Sequence, residues 1–351
     1  MGLIPTLILM LVGLVWSVPA RVGSTLPPGQ PAAELSRPDP RIDPVSGSDT
    51  RVWPPDQPFE FRTTILSLDV PDMGRPDVAG TLELVVAPVG SPRETLVLDA
   101  GERLLIDSVT VEGAPVTFRH DPERAKLSIS LGRPFADLEP VHVRITYSGE
   151  NLSAGQVGLV WSDDDPTTPD EEYLLHAQGH LNGRHLWFPC LDWPSRRTRV
   201  ELIVSVPEAY EVVSGGRLAS LSQNAGRRTF RYALDQPAPF GTIGLIVGKF
   251  IVTDLTPATT THSAPLGISL PTYVPASSVA PEAFGLVPEM LRFFEGRFGV
   301  GYPWRGERGG GGDRLALVVV HDLAPTPIGV DASAGMIVCS DRSGAPSATQ
   351  V

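Results

Sequence analysis

Between Phe59 and about Leu255, apolar and polar residues alternate with a period of two. Leu82, Leu84 and Val86 interleave with Thr81, Glu83 and Val85. Val141, Val143, Ile145 and Tyr147 interleave with His142, Arg144 and Thr146, and Val200, Leu202, Val204 and Val206 with Glu201, Ile203 and Ser205. Successive side chains of an extended strand point to opposite faces, so each run offers one face to a core and turns the other outward. Turn signals separate the runs at Glu112-Gly113, Ser148-Gly149, Gly215-Gly216 and Asn224-Ala225-Gly226. The 35 glycines and 36 prolines among 351 residues work against long helices. Together these features predict a mainly β protein built on an antiparallel β-sandwich.

The flanks read differently. Leu3 to Val18 is an apolar run followed by the small-residue site Val18-Pro19-Ala20. Residues 1–20 are therefore expected to be a signal peptide for export to the periplasm or medium, or an N-terminal anchor if uncleaved. Residues 21–58 carry nine prolines and are expected to be a Pro-rich linker. The sandwich is placed at 59–255. Beyond 256, Phe284, Val287, Leu291, Phe294 and Phe298 recur at helical spacing. Ser277 or Ser278 is expected to cap this helix, Pro288 to kink or split it, and Gly299 to end it. A Gly-rich turn at Gly309–Gly312 and an apolar strand from Leu315 to Val320 follow. One helix and a few strands in the last segment leave apolar faces uncovered, so it should be the more protease-sensitive part.

A formal net charge of −12 argues against a nucleic-acid partner, which requires a basic face. Two cysteines, Cys190 and Cys339, make no disulfide framework and are expected to be separate buried thiols.

The most specific stretch runs from Gln178-Gly179-His180 through Trp187-Phe188-Pro189-Cys190-Leu191-Asp192-Trp193-Pro194 to the strand Arg199–Val206 and Val213-Ser214-Gly215-Gly216. It resembles the hallmark of the aminopeptidase N-like gluzincin metallopeptidases. Leu98-Asp99-Ala100 with Ile106–Gly113 resembles an early hairpin of that family's N-terminal domain, and Leu245–Phe250 its closing strand. Phe293–Gly299 with Tyr302, Pro303 and Trp304 resembles the opening of its catalytic domain. The resemblance implies that 59–255 is the family's N-terminal β-sandwich and that 256–351 is the partial start of a catalytic domain, an incomplete α+β, thermolysin-like segment. In the motif itself, Phe188, Pro189, Cys190, Asp192 and Pro194 are read as structural. The prolines stiffen the segment, Asp192 accepts backbone N–H groups, and Trp187 and Phe188 anchor it to the sandwich.

The resemblance also implies a substrate-binding set, and there the sequence departs from the family. The Glu of the family's Gln-x-Glu, which meets the substrate's amine, is His180 here, two residues after Gln178. The family's Gly-x-Met-Glu-Asn strand aligns with Gly329-Val330-Asp331-Ala332-Ser333, which puts Ala332 at the Glu position and Asp331 beside it. None of the seven histidines forms His-Glu-x-x-His, the family's zinc helix. No catalytic residue and no cofactor are therefore expected in this chain. His176 and His180, His321-Asp322, the glycine run and the acidic stretch Asp163–Asp165 with Asp170–Glu172 are read as structural or solvated. Asn151-Leu152-Ser153 is a glycosylation sequon. Three roles remain open. The chain is a shortened or degenerate, non-hydrolytic relative; or it is the N-terminal part of an active aminopeptidase whose zinc helix lies downstream; or it is an exported module that binds peptides or a protein partner.

Overall fold

The computed structural model describes residues 58–155, 157–163, 173–178, 183–255, 268–304, 313–320 and 330–340. All of them fall in one compact unit, Asp56–Val351. The signal, the linker, His180, Gly329, the glycine run and His321-Asp322 lie outside the described residues.

The largest sheet has eight strands in the order β14 (Arg217–Asn224), β15 (Arg227–Pro239), β12 (Arg197–Pro207), β1 (Phe59–Asp69), β2 (Asp77–Pro88), β8 (Val141–Glu150), β4 (Leu104–Val111) and β5 (Ala114–Pro115). The alternation seen in the sequence is its pleat. Leu82, Leu84, Val86, Val141, Val143, Ile145 and Tyr147 are all at most 2% exposed, while the residues between them face outward. Pairing is antiparallel except between β1 and β12, which run parallel with Thr63 opposite Arg199. A three-stranded sheet, β3 (Arg93–Asp99), β7 (Lys126–Phe135) and β6 (Phe118–Asp121), shares the same core. So does a five-stranded sheet, β13 (Glu211–Ser214), β16 (Leu245–Gly248), β11 (Tyr173–Gln178), β10 (Val157–Asp163) and β9 (Ser153–Ala154). This is the expected sandwich.

A further five-stranded sheet, β17 (Ile251–Asp254), β18 (Pro271–Val274), β19 (Ala316–Val320), β21 (Met336–Ser340) and β20 (Val330–Ser333), stacks on the sandwich. Leu174, Val213 and Ile246, on the outer face of the sandwich's five-stranded sheet, pack against Tyr273, Ala316, Val318, Val320, Met336 and Val338. Leu317 and Val319 point the other way, into a third cluster with Phe284, Val287 and Leu291 of the helical segment. Every residue of β19 is completely buried because the strand is covered on both faces, which is why it reads as an unbroken apolar run. Arg314 bridges the two parts. It is 4% exposed, with its guanidinium 4.9 Å from the ring of Tyr232 in the sandwich and 5.9 Å from that of Tyr273 in the added sheet.

Several local expectations are corrected. Ser148-Gly149 makes no turn and lies inside β8, where a side chain on residue 149 would strike Leu152. Leu98-Asp99-Ala100 and Ile106–Gly113 do not form one hairpin: β3 pairs with β7, while β4 pairs with β8 and turns at Glu112-Gly113 into β5. Pro288 splits the helical run, one of the two outcomes expected of it, because proline suits the first turn, where an N–H has no partner. A 3-10 turn, Glu282–Leu286, precedes α1 (Val287–Phe298), and Leu286, not Ser277 or Ser278, occupies the N-cap. Gly299 closes α1 as expected, at φ 70°, with its N–H donating to the Glu295 carbonyl. Phe293, Phe298 and Val300 are 60%, 57% and 67% exposed, so the far side of α1 is uncovered among the described residues.

Candidate functional site

The Phe-Pro-Cys segment is held by aromatic packing below and a carboxylate above. Trp187 and Phe188 are fully buried with ring centroids 4.5 Å apart, and Phe188, Phe240 and Phe61 continue the cluster into the sandwich. Pro189 is buried and Pro194 exposed at the far end of the segment. Cys190 exchanges both backbone hydrogen bonds with Asp99, at 2.7 and 3.0 Å, which fastens the segment to the end of β3.

Asp192 organises the loop before it. Its Oδ2 accepts the backbone N–H groups of Gly183, Arg184 and His185 at 2.8, 2.9 and 3.2 Å, and the Nδ1–H of His185 at 2.7 Å. The Asp192 N–H donates to Asp99 Oδ2 at 3.0 Å, and Asp99 Oδ1 pairs with Lys126. One carboxylate thus accepts from three consecutive upstream amides, a tighter arrangement than a single turn. Burial pushes its pKa up, but the His185 ring and the Gly183 and His185 amides outweigh this and hold it below the ordinary 3.8. The sign follows directly. A depressed carboxylate pKa adds stability that is present above the unfolded value and is lost as pH falls through the folded one. Urea unfolding followed from about pH 6 to about pH 2 should show stability falling on the acid side, and Asp192→Asn should flatten that fall. An equally steep acid limb in the variant would remove Asp192 as its source.

Cys190 is a buried thiol and Cys339 a partly buried one. Both are free, burial raises Cys190 well above the ordinary thiol value, and it pushes Cys339 up to about 11.

The residues aligned with the family's substrate set come from two elements. The backbone of Gln178 ends β11; Leu175 and His176 of that strand pair with Val247 and Ile246 of β16, a register that runs on toward Gly244. Asp331 and Ala332 lie on β20, opposite Val338 and Ile337 of β21, and Ala332 is exposed. The turn between β20 and β21 then docks on the sandwich. Ala334 donates to the Thr242 carbonyl at 3.0 Å and Gly335 accepts from Ala316 at 3.0 Å. A Cβ on Gly244 would lie 2.2 Å from Ser333 Oγ, and one on Gly215 only 1.5 Å from the Ala334 carbonyl oxygen. Two glycines thus let the candidate strand seat against the sandwich beside the end of β11. Gly215 was legible as a turn; its contact across the chain was not.

The described residues do not fit the zinc ion of the resembled family. No group of three His, Cys, Asp or Glu side chains among them is placed to hold a metal. His176 is buried within β11. Asn151 of the sequon is exposed in a left-handed turn at φ 51°, with Leu152 buried behind it.

The stacked sandwich and sheet are the fold of the M1 zinc metallopeptidases. The chain superposes on the Deinococcus radiodurans M1 zinc metallopeptidase with a TM-score of 0.64 and 21% identity, covering 82% of this chain and 62% of that one. A two-domain M1 zinc metallopeptidase mutant bound to L-arginine matches with a TM-score of 0.63 and 21% identity over the same shares. Among curated sequences the chain is similar to human aminopeptidase B, 25% identical over 193 residues. That match takes in 54% of this chain but only 27% of the relative, so the chain spans about a quarter of it. No family model matches. The aminopeptidase N-like resemblance is thus supported by fold and by sequence.

Proposed function

We propose that residues 59–340 form the substrate-side scaffold of an aminopeptidase N-like protein, and that this chain by itself does not hydrolyse peptides. The observation that carries the reading is the seating of β20 and its turn beside the end of β11, across Gly215 and Gly244. Those are the two strands that align with the family's amine-binding elements. At the aligned positions of the sequence, an exposed alanine at 332 and a histidine at 180 stand where the family has carboxylates, so neither position supplies the family's negative charge for a substrate ammonium, with Asp331 one residue away.

The test is an assay of the purified full chain on fluorogenic amino-acid amides, with added zinc and with a chelator. No release above the protein-free rate is expected under either condition. Zinc-dependent, chelator-sensitive turnover would sink the reading.

A second reading takes its support from the lengths: the matched D. radiodurans chain extends beyond the 62% covered here. The same scaffold would then serve a catalytic part elsewhere in the same protein. DNA sequence past the Val351 codon containing an in-frame His-Glu-x-x-His would favour it. Export and peptide binding remain part of the proposal, resting on the N-terminal apolar run and on the resemblance.

A further inference from the structure

The uncovered side of α1 is arranged symmetrically about Phe293. That ring is exposed, and so are Glu289 one helical turn before it and Arg297 one turn after it. Leu286, exposed at the N-cap, lies a further turn back, and the exposed Val300 follows Gly299 at the other end. From either end the stripe runs apolar, charged, aromatic, charged, apolar, and its two charges are opposite in sign.

The inner face of α1 is spent: Val287 and Leu291 pack with Phe284, Leu317 and Val319. The outer stripe is not. Glu289 and Arg297 form no hydrogen bond or ion pair among the described residues, and Phe293 has only an edge contact with the neighbouring Phe294 at 5.5 Å. An acid in the first turn and a base in the last suit the helix dipole, which accounts for the two charges. It does not account for the exposed phenylalanine between them or for the apolar residue at each end, where a solvated face carries polar side chains.

A second copy of the same helix meets every one of these features. Two α1 helices laid antiparallel about a two-fold axis at Phe293 set Glu289 of each beside Arg297 of the other, twice over. The same axis brings the two Phe293 rings together and places Leu286 against Val300. Gly296 is exposed, with open space where a side chain would stand, so the surface beside Phe293 is low enough for helix axes to approach to about 8–10 Å. A parallel pair would set like charges side by side, so the pattern also fixes the direction.

We propose that this chain self-associates through α1 as an antiparallel, two-fold dimer. One helix pair reaches at most the lower bound of specific interfaces, about 1,200 Å² in total, so the dimer is weak, with Kd on the order of 10–100 µM. The proposal does not rest on the scaffold reading above. Sedimentation equilibrium of the purified full chain, from about 5 to about 300 µM, tests it. Salt of about 0.15 M screens the −12 charge of each copy beyond about 8 Å. A monomer–dimer equilibrium is expected, and Phe293→Asp should weaken it about tenfold or more. Glu289→Arg and Arg297→Glu should each weaken it about tenfold when alone, because each sets like charges opposite one another at both ends. An equimolar mixture of those two variants should associate to within about threefold of the parent, since every facing pair is then opposite in sign again. A circular-dichroism melt confirms that each variant is folded. A parent that stays monomeric throughout overturns the proposal, and slow hydrogen exchange along α1 in that monomer would assign the stripe to another segment of the same chain. Equally decisive against it are a dimer unchanged by a folded Phe293→Asp protein, or a mixture no tighter than its two components.

Discussion

Replacing Asp192 with alanine should cost about 3 kcal/mol or more, the largest single-residue loss expected away from the apolar core. The side chain is 4% exposed, so the charge it carries is solvated by the protein and not by water. Removing it strands the amides of Gly183, Arg184 and His185 in a buried loop, where each donor without an acceptor costs about 1–3 kcal/mol before relaxation. It also frees the His185 ring. Asp192→Asn keeps an acceptor oxygen but loses the charge, so it should fall between the parent and the alanine variant. Urea denaturation at neutral pH orders the three proteins. If Asp192→Ala lies within about 0.5 kcal/mol of the parent, the carboxylate does not hold the loop.

The second large effect is expected at Gly215. A Cβ there would sit 1.5 Å from the Ala334 carbonyl oxygen, a separation no packing adjustment of side chains relieves, because the obstacle is backbone. Gly215→Ala must therefore push the β20–β21 turn off the sandwich, at a cost of about 3 kcal/mol. The loss should be local before it is global. Hydrogen exchange at the Ala334 amide, which donates to Thr242, and along β21 should quicken, while β2 and β8 stay protected. Uniform quickening across both sheets, or none at all, would contradict this seating of the turn.

How far the chain could be read in advance depended on whether the determining interaction was local. Pleat alternation is a property of neighbours in sequence, so the buried faces of β2, β8 and β12 were legible from residues such as Leu84 and Val204. The left-handed turns at Glu112-Gly113 and Ala225-Gly226 were legible for the same reason. Gly149 was misread because a glycine that admits a neighbouring side chain looks the same in sequence as one that turns the chain. The placement of β19 between two cores, the parallel partner of β1 and the bridging role of Arg314 depend on contacts between distant segments, and no spacing rule reports them. At the site, Asp192 was legible as an acceptor because it sits between prolines. Its partners His185 and Asp99 were not, nor was Lys126 behind Asp99, since Asp99 and Lys126 come from strands that precede the motif by many residues. Ala332 and Asp331 were placed by resemblance, and their strand does lie on a sheet that packs against the sandwich. His180 and Gly329 lie outside the described residues.

The parallel pairing of β1 with β12 bears on how this chain reaches its fold during synthesis. Thr63 leaves the ribosome long before Arg199, its partner across the sheet, and the strands between them can pair among themselves first. At about 5–20 residues per second, the edge of β1 stays open for about 7–27 seconds on a nascent chain. Closing so long a loop is entropically slow, which gives the fold a high contact order and a late, rate-setting step. In that interval the row of unpaired groups on β1 is available to any other extended segment, a second nascent copy included. The order of synthesis thus leaves β1 waiting on β12 for its second neighbour.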